Sequence, residues 1–203
     1  MLLSRRHMLV AGLAFSGLPL AAAPPGLASA APMIAPALVN RALDALFRHH
    51  QVIWSRDIIA IADFALPSSV PRFFLVDILK GTTASLLVAH GKGSDPEHSG
   101  ALQSFSNAVG SAATSEGAYL VGEAYDGIHG PSRWLAGLDS SNSLAEERAI
   151  VIHSAWYANP DVAARQGKLG RSDGCFAFGD QDIGLVLARL GRGRLLYAGR
   201  SDG

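Results

Sequence analysis

Cysteine is all but absent: the 203-residue chain has one, Cys175. A single thiol cannot close an internal disulfide, so structural stapling is excluded and a reactive thiol becomes the reading to weigh. Net charge is missing too, with 17 basic and 17 acidic side chains. No concentrated basic patch marks a nucleic-acid footprint, and none is expected as a partner. Beyond Ala30 no segment is long and apolar enough to cross a bilayer. There is no internal repeat, no HExxH helix, no Walker loop and no EF-hand pattern, so no metal and no cofactor is expected.

What is present begins with MLLSRRHMLVAGLAFSGLPLAAAPPGLASA. Two arginines precede an apolar stretch from Met8 to about Ala23, and Ala28-Ser29-Ala30 forms a small-residue cleavage site. Residues 1–30 therefore read as a secretory signal peptide, with a retained N-terminal anchor as the alternative. Ser4-Arg5-Arg6 resembles the start of a twin-arginine export signal. The expected location is outside the cytoplasm, in the periplasm or cell envelope. Without the leader, 173 residues remain (203 less 30), ample for one domain with a real core. Losing Arg5 and Arg6 leaves 15 basic against 17 acidic groups, a net of about −2.

Residues 31–36 read as a linker and 37–203 as one domain. Ala37 to Val52 sets Leu38, Ala42, Ala45, Leu46 and His49 on one face at helical spacing, which predicts an amphipathic helix. His49 and His50 near its end are explained by the helix dipole and solvent. Short apolar runs punctuated by Pro67, Pro71 and Gly81 predict strands over 57–64, 72–79 and 85–90. Further strands are predicted over 118–124, 133–138, 149–153 and 194–198. Helices are predicted over 161–166 and 180–190, the latter closed by Gly191 as a C-cap. The pattern is that of a mainly β, mixed α+β domain.

The chemistry concentrates between His153 and Phe178. The run Ala149-Ile150-Val151-Ile152 stops at His153, setting an imidazole where a strand meets a loop. Cys175 follows the turn Gly170-Arg171-Ser172-Asp173-Gly174, whose Gly and Ser suit neither a helix interior nor a central strand. A thiol attacks as thiolate, and a nearby imidazole takes its proton. The plain alternative is a buried, inert cysteine and a solvated histidine.

A second polar concentration runs from His90 to Gly100 (HGKGSDPEHSG). Three readings stand for it: a polar hairpin loop, a weak metal or phosphate site, or a border of the active cleft that helps bind substrate. The same choice applies to His129 in Asp126-Gly127-Ile128-His129-Gly130, which faces the cleft or decorates a turn.

Ile152-His153-Ser154, followed after an intervening stretch by Ser172-Asp173-Gly174-Cys175, resembles the signature of the L,D-transpeptidases of bacterial cell walls. The chain is most similar to the exported murein L,D-transpeptidase catalytic domain branch, over roughly residues 53–198. FLVDILKGTTASLLVAHGKGSDP from Phe74, IVIHSAWY from Ile150 and GKLGRSDGCFAF from Gly167 carry the likeness. Two positions depart from the pattern. Asp173 stands where the family usually has histidine, and Ala177 where it often has Asn or Arg.

The resemblance implies a β-sandwich with a few short helices and acyl transfer on peptidoglycan stem peptides. Cys175 would form a thioester, expelling a terminal D-alanine, and an amine from a neighbouring stem peptide would then resolve it into a cross-link. His153 would be the general base and acid, and the backbone carbonyl of Ser154 would orient its ring. Backbone N–H groups of Gly174 and Cys175 would be the oxyanion donors. Arg171, Ser172, His129 and His90 would contact substrate, Arg171 by clamping a carboxylate. Asp173 would turn outward, because a carboxylate aimed at the thiol raises its pKa. With water as acceptor the same site would be an L,D-carboxypeptidase. A non-catalytic wall-binding module is the third reading. Papain-like and related amidases place Cys before His, and here His153 comes first.

Overall fold

The computed structural model describes residues 33–202. The expected signal peptide lies outside these, as does the start of the expected linker. The linker's end is not loose: Ile34 is buried, and α1 (Pro36–Arg48) begins one residue earlier than the sequence pattern suggests. Pro36 takes the first helical turn, where its missing N–H costs nothing.

Eight strands follow: β1 (Ile58–Asp63), β2 (Phe73–Asp77), β3 (Thr82–Leu86), β4 (Gly117–Gly127), β5 (Gly130–Gly137), β6 (Val151–Ser154), β7 (Phe176–Phe178) and β8 (Leu195–Gly199). Two short helices, α2 (Pro160–Gln166) and α3 (Ile183–Arg189), interrupt the second half. All strands join one sheet in the order β3-β2-β1-β8-β4-β5-β6-β7. β1 with β8 and β6 with β7 are parallel, and the other pairs antiparallel. The sheet curls until its ends meet, Ala89 beyond β3 bridging Ala177 of β7. Inside the curl the rings of Phe73 and Phe178 pack edge to face at 4.7 Å, although their strands are far apart in sheet order. The fold is thus mainly β, with opposed sheet halves and a few short helices.

Burial on both faces explains the near-continuous apolar runs. In β1, Ala60 and Ala62 point into the curl among Phe64, Leu75, Tyr119 and Phe176. Their neighbours Ile59 and Ile61 point outward against Leu38, Val39, Ala42 and Ala45 of α1. Period-two alternation still holds, but both sides find apolar partners. Each aliphatic side chain so buried contributes about 1.5–3 kcal/mol.

Three local expectations are corrected. β3 covers Thr82–Leu86 rather than 85–90, because its hairpin with β2 pairs Asp77 with Thr82 and Gly81 takes φ +65° in the turn. The apolar residues after Leu86 continue instead toward β7. Gly191 is not a left-handed cap: α3 ends at Arg189 with Leu190 as its cap, and the glycine that turns the chain is Gly193 at φ +84°. His49 is held by more than solvent and the dipole, its Nε2 lying 2.9 Å from Asp139 Oδ1. Strand β7 was absent from the sequence reading; three residues are too few to show a period.

Candidate active site

The parallel pairing of β6 with β7 builds the site. Its register sets His153 opposite Ala177, and Cys175, two residues before Ala177, shares that face. Both side chains line an open cleft of about 230 Å³, with His129, Tyr157, Arg171, Ser172 and Asp173 around them. Residues 22 apart in sequence are joined here because one ends a strand and the other precedes its neighbour.

His153 is almost fully buried, and its Nδ1 lies 2.8 Å from the carbonyl oxygen of Ser154. A carbonyl only accepts, so Nδ1 carries the proton and Nε2 keeps a lone pair. Ser154 is itself tied, its hydroxyl donating to Asp180 Oδ1 at 2.5 Å, while Asn159 donates to the other carboxylate oxygen at 3.0 Å. Burial pushes the imidazole below its ordinary pKa; the Ser154 carbonyl opposes this and the neighbouring His129 adds to it.

Cys175 is half-buried, and its thiol donates to the carbonyl of Ala149 at 3.5 Å. Ala149 is left-handed at φ +50°, a strained position for a residue with a Cβ. Burial pushes the thiol above its ordinary value; a backbone N–H from Val151 and the charge of Arg148 pull it down, while the charge of Asp173 adds to the rise. Both shifts disfavour ions.

The turn before Cys175 is laced to its surroundings. Ser172 Oγ donates to the Cys175 carbonyl at 2.7 Å and accepts the N–H of Gly174 at 3.2 Å. The hydroxyl of Ser172 is thus committed to the turn, and the N–H of Gly174 reaches an oxyanion only by releasing it. Gly174 holds φ +121°, and a Cβ there would meet the Ala113 carbonyl at 2.9 Å. Asp173 turns outward, 74% exposed, and pairs with Lys92 Nζ at 2.7 Å.

The other expected substrate contacts divide. His129 stands in the cleft, its ring stacked on that of His153. Arg171 lines the cleft, with Nη1 donating to the carbonyls of Asp95 and Pro96 rather than to a carboxylate. His90 as a substrate contact is corrected: it is 1% exposed and sealed beneath the loop. Its Nδ1 is 2.6 Å from Nη2 of the fully buried Arg72, and its Nε2 is 3.4 Å from Asp95 Oδ2. The segment from His90 onward does border the site, through backbone. Ser172 donates to the His90 carbonyl at 2.9 Å, and Lys92 to the Ser172 carbonyl at 2.7 Å. Among the described residues, no cluster of three or more His, Cys, Asp or Glu side chains is arranged to hold a metal.

Three residues beside the thiol escaped the sequence reading. Tyr157 lines the cleft, its hydroxyl pushed up to about 12 by burial and by the charges of Cys175 and Asp173. Lys92 pairs with Asp173. Arg148 stands behind the turn, donating to Ser115 Oγ at 2.5 Å and to the Ser106 carbonyl at 2.7 Å. Tyr157 closes the HSAWY run itself, signal enough to have suspected it; nothing local to Arg148 signals its place.

A histidine on β6 and a cysteine just before the parallel β7 thus meet in one cleft of a curled mixed sheet. The chain belongs to the L,D-transpeptidase catalytic domain family, whose model matches residues 30–198. Among solved structures, it is similar to an L,D-transpeptidase from Mycobacterium tuberculosis H37Rv at 14% identity and TM-score 0.44, over 71% of this chain and 58% of that one. An L,D-transpeptidase from Mycobacterium smegmatis matches at 13% identity and TM-score 0.42, over 70% and 58%. Residues 123–326 of an L,D-transpeptidase from Xylanimonas cellulosilytica DSM 15894 match at 14% identity and TM-score 0.39, over 86% and 77%. The chain thus spans under two thirds of the first of these. No curated protein matches it.

Proposed function

We propose that the protein is a peptidoglycan L,D-transpeptidase acting in the cell envelope, with Cys175 as nucleophile and His153 as general base. The observation that carries this is the convergence of the two side chains on one cleft, with the Ser154 carbonyl fixing the imidazole tautomer. Because burial disfavours both the thiolate and the imidazolium, proton transfer accompanies attack. The thiol proton moves to His153 Nε2 as sulfur bonds the stem-peptide carbonyl. The peptide bond to the terminal D-alanine then breaks, its nitrogen taking the proton from His153 and leaving a Cys175 thioester. An amine of a second stem peptide attacks that carbonyl, the C–S bond breaks, and the proton lost by nitrogen returns through His153 to sulfur. His129 and Arg171 are the side chains disposed to contact the donor, and the Cys175 N–H the nearest oxyanion donor. Ser172 supports the turn that presents the thiol.

The leader-like Met1–Ala30 pattern supports export to where peptidoglycan lies. Among the described residues, no helix is long and apolar enough to cross a membrane. The test is incubation with purified tetrapeptide muropeptides and mass spectrometry. A D-alanine-depleted acyl adduct on Cys175, cross-linked dimers, and loss of both in Cys175→Ala are expected. Folded wild-type protein that yields neither adduct nor product from several donors sinks the proposal.

A further inference from the structure

Tyr125 of β4 and Trp134 of β5 stack ring on ring, with 4.4 Å between centroids and 15° between planes. The acyl-transfer steps use neither. Strand register fixes the side of the sheet they occupy. Trp134 pairs with Val151, two residues before His153 on β6, so the indole stands on the face of the reacting groups. Tyr125 pairs with Ser132, two residues from Trp134, and shares that face.

A bulge puts the phenol there. Val121 points into the curl opposite Leu135. Strict alternation would carry Tyr125, four residues on, to the same inner face. The ladder slips by one residue between Val121 and Ala124, which turns Tyr125 outward. Gly122 lies within the slipped stretch, and a Cβ there would sit 3.1 Å from the Trp134 Cβ. α1 covers the outer face against β1, β4 and β8, yet Trp134 stays 44% exposed even with the phenol against it. Burial pushes the Tyr125 phenol above its ordinary pKa; Ser132 opposes this and the charge of Cys175 adds to it, so the ring pair neighbours the nucleophile.

The surroundings narrow the choice of occupant. Among exposed large apolar side chains only Ile128 shares this hairpin, too little to seat on a lipid surface. β5 is paired with β4 and β6, and β6 with β5 and β7, so no edge is open for a peptide to join as a strand. A flat, half-exposed pair of rings with an N–H and an O–H suits another ring with an apolar face and a polar rim. A pyranose has both: C–H bonds on its face and hydroxyls around its edge.

Resting on the transpeptidase reading, we propose that Tyr125 and Trp134 form a saccharide platform, which holds the glycan end of the donor while Cys175 attacks its peptide. The reach is right. The terminal D-alanine of a tetrapeptide leaves from the carbonyl of the third residue, so two residues separate that residue from the sugar and span about 7 Å when extended. Val151, the partner of Trp134, stands two residues back from His153, about 7 Å along β6. The platform touches no reacting atom. It binds the donor alike before and during attack, so it acts on KM rather than on kcat.

The experiment compares a disaccharide-tetrapeptide with the same tetrapeptide lacking sugar, and counts adducts on Cys175 by mass spectrometry. Wild type is expected to favour the glycosylated donor about tenfold in kcat/KM, the scale of one stacked ring, and to do so through KM. Trp134→Ala abolishes the preference. Trp134→Leu, apolar but not flat, abolishes it too and serves where the alanine variant fails to fold. Trp134→Phe keeps a flat ring and retains part of it. A wild-type enzyme that acylates with both donors alike overturns the platform and leaves the transpeptidase reading intact. So does a Trp134→Leu variant that keeps the full preference, or that loses rate on both donors equally. A wild-type enzyme that forms no thioester with either donor overturns both.

Discussion

The ring of His129, in the turn between β4 and β5, stacks on that of His153 with 4.3 Å between centroids and 25° between planes. The turn is exposed, Ile128 beside it almost completely so. A hairpin tip therefore covers one face of the His153 ring, shielding it from water and contributing a second imidazole whose charge opposes protonation of the first.

His129→Ala removes both effects, and both held the pKa of His153 down. The acid limb of thioester formation, set by protonation of His153, is expected to move up toward the ordinary histidine range near pH 6.5. His129→Phe keeps a stacked ring without a charge and shifts the limb less. Rates of acyl-enzyme formation between pH 4 and 8, about the range over which histidine titrates, measure this; identical limbs in wild type and His129→Ala refute it.

Ser154 acts through its main chain. Ser154→Ala keeps the carbonyl that holds His153 Nδ1 but removes the hydroxyl's 2.5 Å bond to Asp180, leaving that carboxylate to Asn159. Thioester formation is expected to fall about threefold, the scale of one exposed hydrogen bond. His153→Gln removes the base and is expected to lose a factor of about 10²–10⁴. Comparable losses in the two variants would mean that the hydroxyl itself takes part in the chemistry.

Gly91 backs the nucleophile turn. A Cβ at 91 would lie 2.3 Å from the Ala112 carbonyl and 2.7 Å from the Gly174 Cα, contacts with backbone that cannot rotate away. Gly91→Ala is expected to cost about 1–3 kcal/mol of stability by overpacking. Displacing the turn by an ångström lowers acylation about a hundredfold. Urea unfolding and acylation rates separate the two effects, and near-wild-type acylation would show that the turn tolerates the shift.

The buried triad of Arg72, His90 and Asp95 makes stability acid-sensitive. His90 falls to about 3, through burial first and then the charge of Arg72, against about 6.5 when unfolded. The folded state thus resists a proton that the unfolded chain accepts. Its contribution is complete above pH 6.5 and drains away as pH falls toward 3. Urea unfolding across that window is expected to show a steady decline, shallower in His90→Asn. Equal slopes in the two proteins would place the acid sensitivity elsewhere.

Local order was legible where side chains repeat. The face carrying Leu38, Ala42 and Ala45 announced α1, and the apolar runs around Ile59, Phe74, Leu120 and Leu196 announced their strands. The HSAWY and SDGC segments pointed to His153 and Cys175 because a lone thiol after a glycine turn has few structural uses. His90 misled, since its polar neighbours Lys92 and Ser94 suggested an open loop. In the fold it is sealed by Arg72, which stands on the approach to β2 and is brought there by sheet pairing. Strand β7 was invisible because three residues carry no period and its partner β6 lies more than twenty residues earlier.

By itself the sequence determined the periodicities, the turn residues and the two candidate reacting groups, all properties of neighbouring residues. Only the tertiary structure decided that β6 and β7 run side by side and that the curl closes at Ala89 and Ala177. It also decided the direction of the pKa shifts, because burial sets the cost of an ion and burial depends on every segment that packs around the group.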